Sequence, residues 1–191
     1  MRIVGGRFRD PLAMSHVLVG LGAGVVLALA GAVSVWATND LQAPNSIGLS
    51  GARLLFGYLL SWLNVSAFAA TGFILVLVLL RSAVGRTWVA DVLFVVLLTL
   101  PFLSPPALIP ATVLGLAIFV WVIRRFGLFA ILVLEFTTLT LGDLPLAVAS
   151  WYAAYSLTTP LLIATVAAWS LYVILTSRPG RVSRSAADPL V

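Results

Sequence analysis

Apolar residues in this chain fall into long, nearly uninterrupted runs, and that feature restricts its fold more than any motif does. The first run, from His16 to about Ala37, has roughly 22 residues, enough to cross a hydrocarbon core about 30 Å thick as an α-helix. Backbone groups in such a core meet no water and must satisfy one another, which a helix does within a single segment. Composition agrees: 62% of residues are apolar and only 9% charged, against about 25% charged in a soluble domain. Mean hydropathy is +1.15. The expected class is therefore all-α, a polytopic transmembrane helical bundle.

The breaks between runs set the number of spans. Residues 1–15 carry Arg2, Arg7 and Arg9, with a turn signal at Asp10-Pro11, and read as a cytoplasmic N-terminal segment. The basic start and Ala30-Gly31-Ala32 also fit a cleaved signal peptide, but the run is long for one, and an uncleaved span is the preferred reading. From Ser50 to Tyr58, apolar positions recur at helical spacing around Arg53, which predicts a short interfacial helix with Ser50 as its cap. A second span follows over 59–80. A third starts at Thr87 or Trp88 and ends near Pro101, before the hard stop Ser104-Pro105-Pro106. The fourth covers 107–123, with Pro110 in its first turn, and Arg124-Arg125 close it. The fifth, 126–141, has only about 16 residues, so it requires local thinning of the bilayer or shielding by neighbours. A polar break at Gly142-Asp143-Leu144-Pro145 precedes the sixth span, 151–176, which Pro160 is expected to kink. Residues 16–176 thus form a membrane domain of about six spans, and 177–191 a cytoplasmic tail.

Charge tests this count. All eleven basic residues are arginines. With six spans and the N-terminus inside, Arg2, Arg7, Arg9, Arg81, Arg86, Arg124, Arg125, Arg178, Arg181 and Arg184 face the cytoplasm, and only Arg53 lies outside. That asymmetry is the positive-inside pattern, and removing any one span scrambles it. Both termini are therefore expected on the cytoplasmic side of a bacterial inner membrane. The net charge of +5 belongs to this topology and not to a nucleic-acid partner.

Few residues offer chemistry. The chain has no cysteine, which excludes disulfides, thiolate metal sites and a thiol nucleophile. It has no HExxH or GxSxG motif, and a Ser/His/Asp set has only one histidine to draw on. That histidine, His16, opens the first span. It excludes bis-histidine haem and is a weak candidate for an axial pigment ligand, so no cofactor is expected. Gly20, Gly22 and Gly24 resemble a phosphate loop only superficially, because no Lys-Ser/Thr follows. The four-residue spacing of Gly20, Gly24 and Ala28, continued by Gly31, instead predicts a helix-packing stripe. Five of the six tryptophans (Trp36, Trp62, Trp88, Trp121 and Trp151) fall near span ends, as an interfacial belt does.

Two carboxylates stand out. Glu135 lies about nine residues, or about 13 Å, into the fifth span, where an ionised carboxylate is costly and is a functional candidate by default. Its roles divide between a proton relay, a cation site or a clamp between helices, and a protonated acid hydrogen-bonded to hydroxyls. Thr138 is one turn away on the same helix, and by depth Thr71 of the second span and Thr158 or Thr159 of the sixth could reach it. Asp91, one turn into the third span, reads as structural, stabilised by the helix dipole and by pairing with Arg86.

The sequence Arg125-Phe126-Gly127-Leu128, an apolar span, a break ending in Pro145-Leu146 and then Trp151-Tyr152-Ala153 resembles the C-terminal membrane region of bacterial serine/threonine protein kinases, especially the acidobacterial type. The entry Arg7-Phe8-Arg9-Asp10-Pro11-Leu12 is similar to the junction where such proteins enter the membrane. The resemblance covers most of the chain in the same order, but none of its motifs contains a catalytic residue. No HRD, DFG or nucleotide loop with a following lysine is present, and Glu135 stands where that module is expected to be apolar. The resemblance implies the membrane half without its kinase domain, either standing alone or as an excised piece. The expected role is thus non-catalytic: an anchor, scaffold or accessory subunit, with the lipid bilayer and other membrane subunits as partners. A small transporter or proton-conducting component using Glu135 is the alternative.

Overall fold

A computed structural model describes residues 10–38, 51–102, 109–143 and 153–177. Among these residues the chain forms six α-helices and no strand. They are α1 (Pro11–Thr38), α2 (Ala52–Val84), α3 (Thr87–Thr99, continued by a short 3-10 turn over Leu100–Phe102), α4 (Ile109–Phe126), α5 (Leu128–Asp143) and α6 (Ala153–Thr176). Three stretches are long and apolar enough to cross a membrane: Pro11–Ser34, Ala52–Val84 and Ser156–Thr176. Thr87–Thr99 and Leu128–Gly142 are apolar but shorter. The Ser50 cap, Ser104-Pro105-Pro106, Pro145, the Trp151-Tyr152 pair and the arginines of both ends lie outside the described residues.

The helix ends follow local chemistry. α1 starts earlier than the apolar run does, because Asp10 caps it: the Asp10 carboxylate accepts from the Leu12 N–H at 3.0 Å, and the Asp10 carbonyl accepts from Met14 at 3.1 Å. Pro11 then occupies the first helical position, where its missing N–H costs nothing. Asp10-Pro11 is thus a helix start and not a free turn.

The expected interfacial helix is not a separate element. Residues 52–84 form one continuous helix, since no proline interrupts them and an internal glycine such as Gly57 costs only about 1 kcal/mol. At 1.5 Å per residue, α2 is about 50 Å long, well beyond a hydrocarbon core of about 30 Å. Its first turns carry their own small cluster, in which Leu55 and Tyr58 pack with Leu59 and Trp62. α2 ends at Gly85, whose φ of +71° closes the helix by a bond from its N–H to the Arg81 carbonyl. Gly127 does the same between α4 and α5, with φ +79° and a 3.1 Å bond to the Ile123 carbonyl. Only a residue tolerant of the left-handed region lets α5 begin one position later.

α5 is the hub. It packs most extensively against α1, and also against α2, α4 and α6. Ala130, Ile131, Leu134, Thr137 and Thr140 along it are fully buried. The main core joins Ala130, Ile131 and Leu134 to Ala70 and Leu77 of α2, Phe94 of α3, and Phe119, Val120 and Val122 of α4. Phe73 stands edge-on to Phe94 and Phe119, with ring centroids 6.1 and 4.9 Å away. On the other side of α5, Val17 and Leu21 of α1 meet Ile163 of α6.

The glycine stripe of α1 packs on α5, as its spacing predicts. A Cβ on Gly20 would stand 2.5 Å from the Ala130 carbonyl oxygen, and one on Gly24 would stand 2.6 Å from Thr137 Cβ. Gly22 and Gly31 have nothing within 4 Å, so the stripe is shorter than its sequence extent. Pro160 sits inside α6 and removes one donor from its ladder.

Candidate functional site

Asp91 is the centre of the one ionic cluster among the described residues. Arg81, in the last turn of α2, donates from Nη2 to Asp91 Oδ1 at 2.8 Å. Arg124, in the last turn of α4, places Nη1 2.9 Å from Oδ2 as an ion pair without hydrogen-bond geometry. Asp91 lies one turn into α3, its side chain 10% exposed. Each charge suits its helix end: cations at the C-termini of α2 and α4, an anion near the N-terminus of α3. The cluster thus locks three helix ends together. The pairing expected with Arg86 does not form. Arg86 is the exposed N-cap residue of α3, in extended conformation, while Arg81 and Arg124 approach the carboxylate from neighbouring helices. Arg125 is exposed next to Arg124.

Glu135 sits at the middle of α5, about 10 Å from its first residue, and is partly buried. Among the described residues it accepts no hydrogen bond and pairs with no cation. None of the hydroxyls expected to reach it, on Thr138, Thr71, Thr158 or Thr159, bonds to it among the described residues. Thr138 donates to the Leu134 carbonyl at 2.9 Å and across to Gly24 of α1 at 3.3 Å. Thr71 is exposed and donates to the Ala67 carbonyl of its own helix. Thr159 is buried on α6, its hydroxyl unpaired among the described residues.

His16 lies in the second turn of α1 and not at the start of the helix. Its ring stands edge-on to Phe126, with centroids 5.6 Å apart, and Phe126 in turn meets Trp121 at 5.5 Å. The histidine therefore has an aromatic neighbour at the end of α4, in the same part of the bundle as Arg124.

The periodicity of apolar residues did not reveal the buried hydroxyls. Ser66, Thr99, Thr137 and Thr140 are buried, and each returns its hydroxyl to a carbonyl of its own helix at 2.6–2.7 Å. Along α6, Ser156, Thr159, Ile163, Ala167 and Ser170 fall at three- and four-residue steps. That spacing marks the buried face of α6, on which Ile163 and Ala167 pack with Val17 and Leu21 of α1.

Beside the ionic cluster, α3 and α4 leave an open groove of about 450 Å³. Val92, Val95, Val96, Ala117 and Val120 line it, Trp88 and Trp121 flank it, and Asp91 and Arg124 stand at one end. No group of three or more metal-ligating side chains occurs among the described residues. Comparison with protein-family models, with curated proteins and with solved structures gives no match.

Proposed function

We propose that the chain is a six-span, non-catalytic component of a bacterial inner membrane, with both termini cytoplasmic, serving as an anchor, scaffold or accessory subunit of a larger membrane complex. The observation that carries this reading is the use of charge: Arg81 and Arg124 both pair with Asp91 and tie α2, α3 and α4 together. Their meeting also supports the topology, because it brings the ends of α2 and α4 and the start of α3 to the same side of the bundle. Arg53, at the start of α2, lies at that helix's other end. α3 with its 3-10 turn, α4 and α5 are each about 24–27 Å long, slightly short of a hydrocarbon core; neighbouring helices shield α5, whereas α3 and α4 keep apolar side chains such as Val92, Leu97 and Leu114 exposed and would need a locally thinner bilayer. Large apolar side chains such as Phe56, Phe68, Leu75 and Leu79 stay exposed along α2, a surface suited to lipid or to another subunit. The resemblance to kinase membrane modules favours an anchor.

A second reading rests on Glu135, a mid-helix carboxylate with no partner among the described residues: a small transporter or proton-conducting component. Glu135→Gln separates the two, since it keeps shape and removes titration. The scaffold reading expects co-purifying subunits, identified by mass spectrometry after mild detergent extraction, to be unchanged, and proton flux in proteoliposomes to match that of empty vesicles before and after substitution. Proton flux in the native protein that collapses in Glu135→Gln overturns it.

A further inference from the structure

We propose that the groove between α3 and α4 holds one anionic phospholipid, its phosphate against the Arg124 guanidinium and one acyl chain along the valine-lined floor. Charge complementarity decides the head group. Two guanidiniums share the single Asp91 carboxylate, so the cluster keeps one net positive charge. Arg124 retains half of its side-chain exposure despite the ion pair, and the exposed Arg86 and Arg125 add to the field. Guanidinium also matches phosphate by hydrogen-bond geometry as well as by charge.

The rest of the groove fits a tail and not a free phosphate. Its walls beyond the ionic end are apolar, and its volume of about 450 Å³ is that of a small-ligand cleft. From Trp88 to Val96 it runs about 12 Å along α3, close to the depth of one leaflet of a core about 30 Å thick. Trp88 and Trp121, 62% and 55% exposed, stand beside it, as indoles do at head-group level. A free phosphate would use the arginine end alone and leave the valines unoccupied.

The site rests on the membrane placement proposed above, which has its own readout. The chain has no cysteine, so Ser82→Cys is a unique thiol at the cytoplasmic end of α2, and its labelling from that side reports orientation independently of lipid. For the site itself, the full chain is delipidated in mild detergent and titrated by native mass spectrometry with phosphatidylglycerol and phosphatidylcholine of identical tails. One phosphatidylglycerol is expected to bind about fivefold more tightly than phosphatidylcholine, the factor for one surface guanidinium near an anionic head group. Arg124→Gln is expected to reduce phosphatidylglycerol to the phosphatidylcholine level, Val96→Trp to weaken both lipids, and Arg53→Gln, at the other end of the bundle, to change neither. Equal binding of the two lipids by the native chain, or undiminished binding in Val96→Trp, overturns the proposal. Val96→Trp leaves the Asp91 ion pairs intact, so it tests the tail contact independently of the Arg124 substitution.

Discussion

Gly24 gives the sharpest test of the α1–α5 contact, because the sign of the effect is diagnostic. In Gly24→Ala the new methyl carbon would lie 2.6 Å from Thr137 Cβ and 2.7 Å from the Leu134 carbonyl oxygen. Carbon atoms rest at about 3.5–4.0 Å, so the helices must part by about 1 Å. Neither obstacle can swing away, since one is backbone and the other is fixed to it. Overpacking costs about 1–3 kcal/mol, and rigid neighbours put this site in the upper part of that range. Helix propensity acts the other way, favouring Ala over Gly by about 1 kcal/mol. The net expectation is a loss of about 1–2 kcal/mol. Gly22, two residues along, has nothing within 4 Å, so Gly22→Ala should show the propensity gain alone, about 1 kcal/mol. Thr137→Ala should not rescue Gly24→Ala, because Thr137 Cβ and the Leu134 carbonyl both remain. The assay is reversible unfolding in mixed micelles by titration with a denaturing detergent, followed by circular dichroism. If Gly24→Ala proves as stable as Gly22→Ala, α1 does not approach α5 through this stripe and the packing argument fails.

Asp91→Asn removes the shared anion and leaves the Arg81 guanidinium, 30% exposed, without a counter-charge; the expected loss is about 2–3 kcal/mol in the same titration. Arg124→Gln should cost less than about 1 kcal/mol, because Arg124 is half exposed and keeps access to water. Gly127→Ala places a side chain at φ +79°, and although its surroundings are open, it should lose about 1–2 kcal/mol from backbone strain alone. Gly72→Ala, in mid-helix and equally open, should gain about 0.5–1 kcal/mol, so the contrast isolates the left-handed requirement.

Much of the helical layout was legible because its determinants are local. Boundaries of α3, α4, α5 and α6 differ from the apolar runs by only a few residues, since breakers and runs of side chains act on their own segment. The start of α1 is also written locally, in Asp10 as cap and Pro11 as first residue, although the same dipeptide suits a turn equally well. The continuity of α2 is not legible in the same way. Apolar positions at helical spacing around a charged Arg53 at a span entry resemble an interfacial helix, and only the absence of a proline between Ala52 and Val84 argues for one long rod.

By itself the sequence determined that the chain is helical, that its long apolar helices suit a membrane, and that Gly20 and Gly24 form a packing stripe. Each follows from hydropathy and periodicity along one segment. Tertiary structure decided that α5 is the hub on which that stripe lands. It also decided that Asp91 is held by Arg81 and Arg124 and not by Arg86, and that Thr138 bonds to α1 and not to Glu135. An ion pair is made by whichever charges the packing brings within about 4 Å, and sequence separation does not measure that distance. Arg86 is five residues from Asp91 yet does not pair with it, whereas Arg124, on another helix, places a nitrogen 2.9 Å away.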